Sequence, residues 1–480
     1  MTYGNLALHT DKYQINMMYA HWVHHTLNDR AVFDVYFRKL PFGNGFAVAA
    51  GLERVVDYIR TLEFGDEELA YLGEQEEGYP AGFLEELRRL RFTGDLYAAP
   101  EGTLVFPGEP IIRVEARIFE AQLIETAILN FVNYQTLVAT KAARIKQVAP
   151  NDGLLEFGTR RAQEGDAAVW GARAAYLAGF DATSNMRAGM LFRIPAKGTH
   201  AHAWVQGHDS EEEAFMRYAE ALPDQVTLLV DTYDTLKSGI PNAIRTAKAL
   251  EARGKRMNAV RLDSGDLAYL SKKSREMLDA AGLTYVKIVA SNDLDENIIF
   301  NLKAQGARID IWGVGTQLIT AADHPALGGV YKLVARERDG VYVPVIKISG
   351  NPEKVTTPGV KDVYRIISRK SGKAIADYIA LQDETDIAEG RPIKLFDPVH
   401  PYLQRIVEDY DAVAVLQPIF RQGELVYPLP DLEQIRAYHR QQLEQFWPEY
   451  LRKLNPETHP VDLSEAVWEL KRSLIGQHLL

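Results

Sequence analysis

The chain has 480 residues, 25% of them charged, 46% hydrophobic and none of them cysteine, with a formal net charge of −11. The acidic balance argues against a general nucleic-acid binder, and the missing cysteine excludes a disulfide framework, a thiolate metal site and a cysteine nucleophile. No run of about 18 apolar residues occurs, so no transmembrane helix is expected, and Met1-Thr2-Tyr3-Gly4-Asn5-Leu6 lacks the basic start and apolar stretch of a secretory signal; the expectation is a cytoplasmic protein.

In chain order, the first 120 residues are mixed. Phe33-Asp34-Val35-Tyr36-Phe37 alternates as a strand, and residues 51–62 read as a short helix. Residues 96–117 carry strand-like runs broken by Pro100-Glu101-Gly102 and Pro107-Gly108, the pattern of a small β meander. Ile124, Ile128, Phe131, Val138, Ala142 and Ile145 then share one face at helical spacing, and Pro150 ends that helix. From about 152 to 318, short β-rich runs (153–157, 179–183, 226–230, 258–262, 285–290, 309–312) alternate with helical stretches near 164–178, 240–253, 267–281 and 294–305. Such alternation predicts a parallel sheet, closed or partly closed into a barrel. After 330 the chain returns to β character: residues 341–348 are strand-like, and 363–367 pairs with 375–380 across Ser371-Gly372-Lys373. The last 50 residues read as charged and helical. The predicted organisation is a mixed α/β segment (1–122), a barrel (123–330), a β-rich segment joining the N-terminal domain (331–430) and a helical segment (431–480).

In a parallel barrel, function collects at the rim where strands end. Here the strand ends read Gly158-Thr159-Arg160-Arg161, Ser184-Asn185, Gly198-Thr199-His200-Ala201-His202 (after Ile194), Asp231-Thr232-Tyr233-Asp234, Asp263-Ser264-Gly265-Asp266, Ser291-Asn292-Asp293 and Gly313-Val314-Gly315-Thr316. Glycines with Ser and Thr suit phosphate cradling by backbone N–H groups. Arg160, Arg161 and Arg261 can fork onto phosphate or carboxylate oxygens. Asp231 and Asp263 offer hard oxygen ligands for magnesium bound jointly with a phosphorylated substrate. His202 can shuttle a proton or act as a nucleophile. The set suggests chemistry on a phosphorylated sugar. Taken alone, Asp-Ser-Gly-Asp is equally a turn with a helix N-cap, and Gly313-Val314-Gly315 is not the dinucleotide fingerprint, because Leu318 stands at its third glycine.

Together with Thr10-Asp11-Lys12-Tyr13-Gln14, Glu156-Phe157-Gly158-Thr159-Arg160-Arg161-Ala162-Gln163, and the segments Ser349-Gly350-Asn351-Pro352-Glu353-Lys354 and Pro358-Gly359-Val360-Lys361, these motifs resemble the nicotinate phosphoribosyltransferases over residues 5–440. The resemblance implies an incomplete α/β barrel of the type II phosphoribosyltransferase kind, plus a discontinuous mixed α/β domain built from N- and C-terminal segments. It implies a homodimer with interface active sites. It also implies the reaction of nicotinate with phosphoribosyl pyrophosphate to nicotinate mononucleotide and pyrophosphate, in NAD salvage, coupled to ATP hydrolysis through a phosphorylated histidine.

Residue roles follow from the same resemblance. Tyr13, from the neighbouring subunit, and Phe157 sandwich the pyridine ring. Arg160 or Arg161 holds the nicotinate carboxylate, and Asn185, neutral where nicotinamide-using relatives carry an acid, favours the acid substrate. His202, last in the Gly-Thr-x-Ala-His pattern, is the expected phosphohistidine, with His200 in the variable place. Asp231 and Asp263 are expected to contact magnesium or ribose. Arg261, Ser264, Gly265, Ser291, Asn292, Gly313, Gly315 and Thr316 are expected to contact the phosphoribosyl group. Arg38, Lys354 and Lys361 are expected to reach the pyrophosphate from the partner subunit. The rivals are a nicotinamide or quinolinate phosphoribosyltransferase, an aldolase, which needs a strand-end lysine these motifs lack, and a non-enzymatic sugar-phosphate-binding barrel.

Overall fold

A computed structural model describes residues 5–387 and 389–479; the N-terminal Met1 to Gly4, read above for a secretory pattern, lies outside them. The chain forms two compact units, Met1–Leu137 with Ala326–Leu480, and Val138–Pro325.

The second unit is built on a parallel sheet of six strands, in the order Ala182–Thr183, Gly153–Glu156, Ile311–Val314, Lys287–Ala290, Ala259–Leu262, Thr227–Leu229. The strands are short runs rich in branched residues, and Val260, Leu262, Ile288, Ala290, Trp312 and Val314 are all fully buried, as in sheets covered on both faces. Helices Glu164–Leu177, Ile240–Ala252, Leu267–Ala280 and Glu296–Ala304 return the chain between strands. The sheet is a half-barrel, matching the partly closed parallel sheet expected from the strand–helix alternation and the incomplete α/β barrel that the resemblance implies. Two local expectations differ. The last strand runs to Val314, two residues beyond the expected end, so Gly313 and Val314 are strand residues rather than loop. The run at Ile194 forms no strand, only an isolated bridge between Thr183 and Ala196.

The first unit is discontinuous and mixed α/β. Its main sheet is antiparallel, in the order Val341–Pro344, Val330–Arg338, Arg30–Tyr36, Ile112–Arg117, Asp95–Ala98, Gln417–Arg421, Glu424–Leu425. Strands from before residue 120 and after 330 thus share one sheet. The expected meander is incomplete: Asp95–Ala98 pairs directly with Ile112–Arg117, and Leu104–Val105 pairs instead with Ala47–Val48. Lys361–Ser368 pairs with Ala374–Leu381 around the Ser371-Gly372-Lys373 turn. The C-terminal segment is not wholly helical, because Val461–Leu463 adds a parallel strand beside Ala374–Leu381.

Buried ions tie this second sheet to the first. Lys361 Nζ lies 2.8 Å from Asp34 of the strand Arg30–Tyr36, and Arg113 of Ile112–Arg117 reaches Asp362 at 2.5 Å. Arg365 forks onto Asp377 at 2.9 and 2.7 Å, where both side chains are fully enclosed. Burial alone would raise the Asp377 carboxyl, but the guanidinium and His459 hold it below the ordinary carboxylate range. Among the described residues, no helix is long and apolar enough to cross a membrane.

Helix Leu432–Glu444 docks through His439, whose Nδ1–H donates to the Gly102 carbonyl at 3.0 Å; Gly102 adopts φ +89° against the His439 Cβ. Burial pushes this imidazole from 6.5 down to about 4. The folded chain therefore keeps His439 neutral. Its contribution is complete above pH 6.5 and is lost as the pH falls toward 4, because the unfolded chain takes the proton first. The loss should approach about 3 kcal/mol at one residue. Denaturation at pH 7 and pH 4.5 should show a smaller acid loss in His439→Gln than in the wild type; an equal loss would remove His439 as a cause.

Candidate active site

Three consecutive strand ends of the half-barrel share one construction. The second acid of each turn caps the helix that follows. Asp234 Oδ1 accepts from Leu236 N and Lys237 N at 3.1 and 2.9 Å, Asp266 from Tyr269 N at 2.9 Å, and Asp295 from Asn297 N and Ile298 N at 2.8 Å. These caps fix where the turns end, and Asp231, Asp263 and Ser291 stand one or two residues after their strands, ahead of the caps. Gly239 lets the turn after Asp234 pack on the strand, because a Cβ there would run into the Val230 carbonyl.

Asp231 carries the site. Its side chain is only 2% exposed. Oδ1 lies 3.1 Å from His202 Nε2, and Oδ2 accepts from Asp263 N at 2.8 Å and Ser264 Oγ at 2.7 Å. One carboxylate thereby orients the histidine and closes the next strand's turn. Arg261 is held on three sides: Nε donates to Ser291 Oγ at 2.9 Å, Nη1 to Thr199 Oγ1 at 3.0 Å, and Nη2 to Asp263 Oδ1 at 3.0 Å. Its Cζ sits 5.6 Å from the Phe157 ring centroid.

Around these groups lies a cavity of about 340 Å³ lined by Phe157, Arg160, Ser184, Thr199, His202, Arg261 and Asp263 among others. Phe157, Gly198 and Thr199 also line a second cavity of about 440 Å³ within the half-barrel. The Phe157 ring packs against Gly313, where a Cβ would stand 2.7 Å from a ring carbon, so the missing side chain makes room for the ring. Arg160 lines the cavity whereas Arg161 does not. Both are exposed in the turn Thr159–Arg161.

The remaining candidates divide. Ser264 and Gly265 are exposed in the turn after Asp263, Gly265 at φ +80°. Asn292 is exposed at φ +96°. Gly315 precedes and Thr316 begins the short helix Thr316–Ile319. Asn185 is buried as the N-cap of helix Met186–Phe192, with Oδ1 accepting from Ala188 N at 2.9 Å. His200 is buried, its Nε2 accepting from Leu229 N at 3.1 Å, and burial pushes its imidazole below the ordinary value. Tyr13, Arg38, Lys354 and Lys361 belong to the other compact unit. There Tyr13 is half exposed on helix Lys12–Val23, Lys354 is exposed, and Arg38 and Lys361 line one cavity.

The carboxylates fit magnesium unequally. Both Asp231 oxygens are engaged. Asp263 Oδ1 accepts from Arg261 and Ser291, and the residue lines the cavity. No group of three or more His, Cys, Asp or Glu side chains is placed to hold a metal among the described residues. An ion here would depend on oxygens brought by a phosphorylated ligand.

Family models for the nicotinate phosphoribosyltransferase N-terminal domain, the nicotinate phosphoribosyltransferase family and the C-terminal domain match residues 8–133, 153–380 and 360–471. The chain belongs to the nicotinate phosphoribosyltransferase family. It is 56% identical over 475 residues to the nicotinate phosphoribosyltransferase of Bacillus subtilis, covering 98% of this chain and 96% of that one. The crystal structure of human nicotinic acid phosphoribosyltransferase superposes with a TM-score of 0.86 at 32% identity, over 97% of this chain and 99% of that one. A nicotinate-nucleotide pyrophosphorylase from Pyrococcus furiosus shares the fold, at TM-score 0.69, 24% identity, and 93% and 97% coverage.

Sequence reasoning missed two residues of this nicotinate phosphoribosyltransferase site. Glu156 is buried, accepts from Gly158 N and from Thr183 Oγ1 at 2.5 Å, and burial raises its carboxyl above the ordinary range. A lone acid at the end of an apolar strand was the available signal. Thr199 is the third anchor of Arg261 and was read only as part of the Gly-Thr-x-Ala-His run. Asp231→Asn preserves shape but weakens charge-assisted bonds worth about 1.5–3 kcal/mol. The Asp263 amide should then exchange with deuterium at least about tenfold faster, read by mass spectrometry of the peptide 258–270; unchanged exchange would show that Asp231 does not hold this turn.

Proposed function

We propose that the chain transfers the phosphoribosyl group of phosphoribosyl pyrophosphate to nicotinate, releasing pyrophosphate and forming nicotinate mononucleotide in cytoplasmic NAD salvage. Family membership and relatives matched end to end support the activity. The observation that supports the site is the convergence of an aromatic ring, a free arginine, a locked arginine and an oriented histidine on one rim cavity.

In the reaction, the bond from the anomeric carbon to the pyrophosphate oxygen breaks as the bond from the pyridine nitrogen to that carbon forms. The nitrogen has its own lone pair, so no protein base is needed, and the charge to be offset grows on the leaving pyrophosphate. Catalysis is then positioning and electrostatics. Phe157 stacks on one face of the pyridine, with Tyr13 of the partner subunit on the other. Arg160 takes the carboxylate, favoured over Arg161 because it lines the cavity. Arg261, with Ser264, Gly265, Ser291, Asn292, Gly315 and Thr316, receives the phosphoribosyl group. Arg38, Lys354 and Lys361 serve the pyrophosphate across a homodimer interface. Asp263, together with substrate oxygens, would hold magnesium, which would supply charge neutralisation at the pyrophosphate.

ATP is the co-substrate, and its γ-phosphoryl group is passed to His202 and then to water, giving ADP and phosphate. With Nε2–H donating to Asp231, the lone pair of His202 lies on Nδ1, which is the atom that takes the phosphoryl group. His200 is unsuited to this, being buried and committed through Nε2 to a backbone N–H.

Pyrophosphate release should occur with nicotinate, increase with ATP, and be negligible with nicotinamide or quinolinate. His202→Asn should abolish the ATP stimulation while leaving a basal rate. Release only with another base would overturn the base assignment, and undiminished stimulation would overturn the phosphohistidine.

Asn185→Asp tests selectivity without removing the helix cap, since Asp caps as well as Asn. The ratio of kcat/KM for nicotinate over nicotinamide should fall about tenfold or more, as a carboxylate near a carboxylate costs over 1 kcal/mol. An unchanged ratio would leave Asn185 as a cap only.

A further inference from the structure

Asp34 and Tyr36 alternate onto one face of the strand Arg30–Tyr36, and Arg38 follows at the same period. All three line a cavity of about 210 Å³ together with Lys361 and Lys471. Each of its two acids has a cation: Asp34 Oδ2 lies 2.8 Å from Lys361 while its Oδ1 is buried without a hydrogen bond among the described residues, and Glu353 lies 3.4 Å from Lys39. Arg38 spends only Nε, on the Glu353 carbonyl at 3.0 Å. Lys471 has no carboxylate partner among the described residues, and its sole hydrogen bond, to Thr357 Oγ1, is long at 3.4 Å. The Tyr36 hydroxyl is buried beside the Arg38 guanidinium and makes no hydrogen bond of ordinary geometry among the described residues. A buried hydroxyl and two cations without carboxylate partners among the described residues, around one open cavity, suit a ligand rich in anionic oxygens.

We propose that Lys471 is a ligand-contacting residue of this cavity, donating to the oxygens of a diphosphate group together with Arg38, Lys361 and the Tyr36 hydroxyl. The proposal deepens the reading above, in which Arg38 and Lys361 serve pyrophosphate, and adds a residue from helix Glu465–Leu479. The pairing of Val461–Leu463 with Ala374–Leu381 anchors the start of that helix, and Ser464 N donates to the Ile379 carbonyl at 2.8 Å. Burial and the neighbouring Lys361 ammonium push the Lys471 amine below its ordinary value.

The diphosphate has two possible sources, the phosphoribosyl donor or ATP. The full-length wild type, Lys471→Met and Lys471→Arg should be titrated calorimetrically with inorganic pyrophosphate and, separately, with adenylyl imidodiphosphate. Lys471→Met should weaken at least one of them about tenfold or more, and Lys471→Arg should recover most of that loss. Selective loss for pyrophosphate assigns the cavity to the leaving group, and selective loss for the nucleotide analogue assigns it to ATP. Affinities for both within about twofold of wild type would overturn the proposal, because a purely structural lysine leaves binding untouched. Independently of any variant, acetylation of Lys471 in the wild type should slow at least about fivefold in the presence of the bound anion. Equal labelling would overturn the proposal even if Lys471→Met failed to fold. Pyrophosphate release with nicotinate is read on the wild type alone, so failure of the activity and failure of this lysine assignment are distinguishable.

Discussion

The site depends on one carboxylate held out of water. Asp231 is 2% exposed, and what balances the cost of burying its charge is the set of donors around it: the backbone N–H of Asp263, the hydroxyl of Ser264 and the ring of His202. Because each donor comes from a different strand end or from the next turn, satisfying the carboxylate also fixes their mutual positions. The same bonds orient Asp263, which in turn holds Arg261. The geometry at the rim is thus a chain of obligatory pairings starting from a single buried charge, and none of these groups can move far without exposing another unpaired.

The half-barrel supplies the frame for this chain by dividing labour within each turn. In Asp231-Thr232-Tyr233-Asp234 and Asp263-Ser264-Gly265-Asp266, the first acid bonds a residue that lines the cavity, His202 or Arg261, and the second caps a helix. The cap is worth about 1 kcal/mol of helix stability, but its larger effect is to fix where the turn ends. The functional and the structural reading of the same four residues are therefore both correct, for different residues. Spacing alone cannot separate them.

Legibility followed the range of the interactions concerned. Strand–helix alternation is local, so the parallel unit and its rim could be read directly, as could the discontinuity that joins strands before residue 120 to those after 330. Elements defined by distant partners could not. Val461–Leu463 is too short to carry a period and exists because Ala374–Leu381 offers it an edge. Gly313 read as turn punctuation, whereas it is a strand residue whose missing side chain admits the Phe157 ring. Thr199 and Glu156 act through bonds to residues 62 and 27 positions away, which no motif spacing encodes. Lys471 lies in a charged helical run, where any one lysine reads as a solvated face until its neighbours in space are known.

The cations of the molecule fall into two physical kinds, and the chemistry needs both. Arg261 is fixed by three hydrogen bonds and a ring contact, so presenting its charge costs no further ordering when a ligand arrives. Arg160 and Lys471 are held by at most one long bond and keep the freedom to follow a charge that moves. A reaction whose nucleophile needs no activation, but whose leaving group gathers negative charge as it departs, is suited by a combination of rigid and adaptable charge. In a chain of net charge −11, cations that lack a carboxylate partner among the described residues stand beside both cavities, and this favours anionic ligands there over neutral ones.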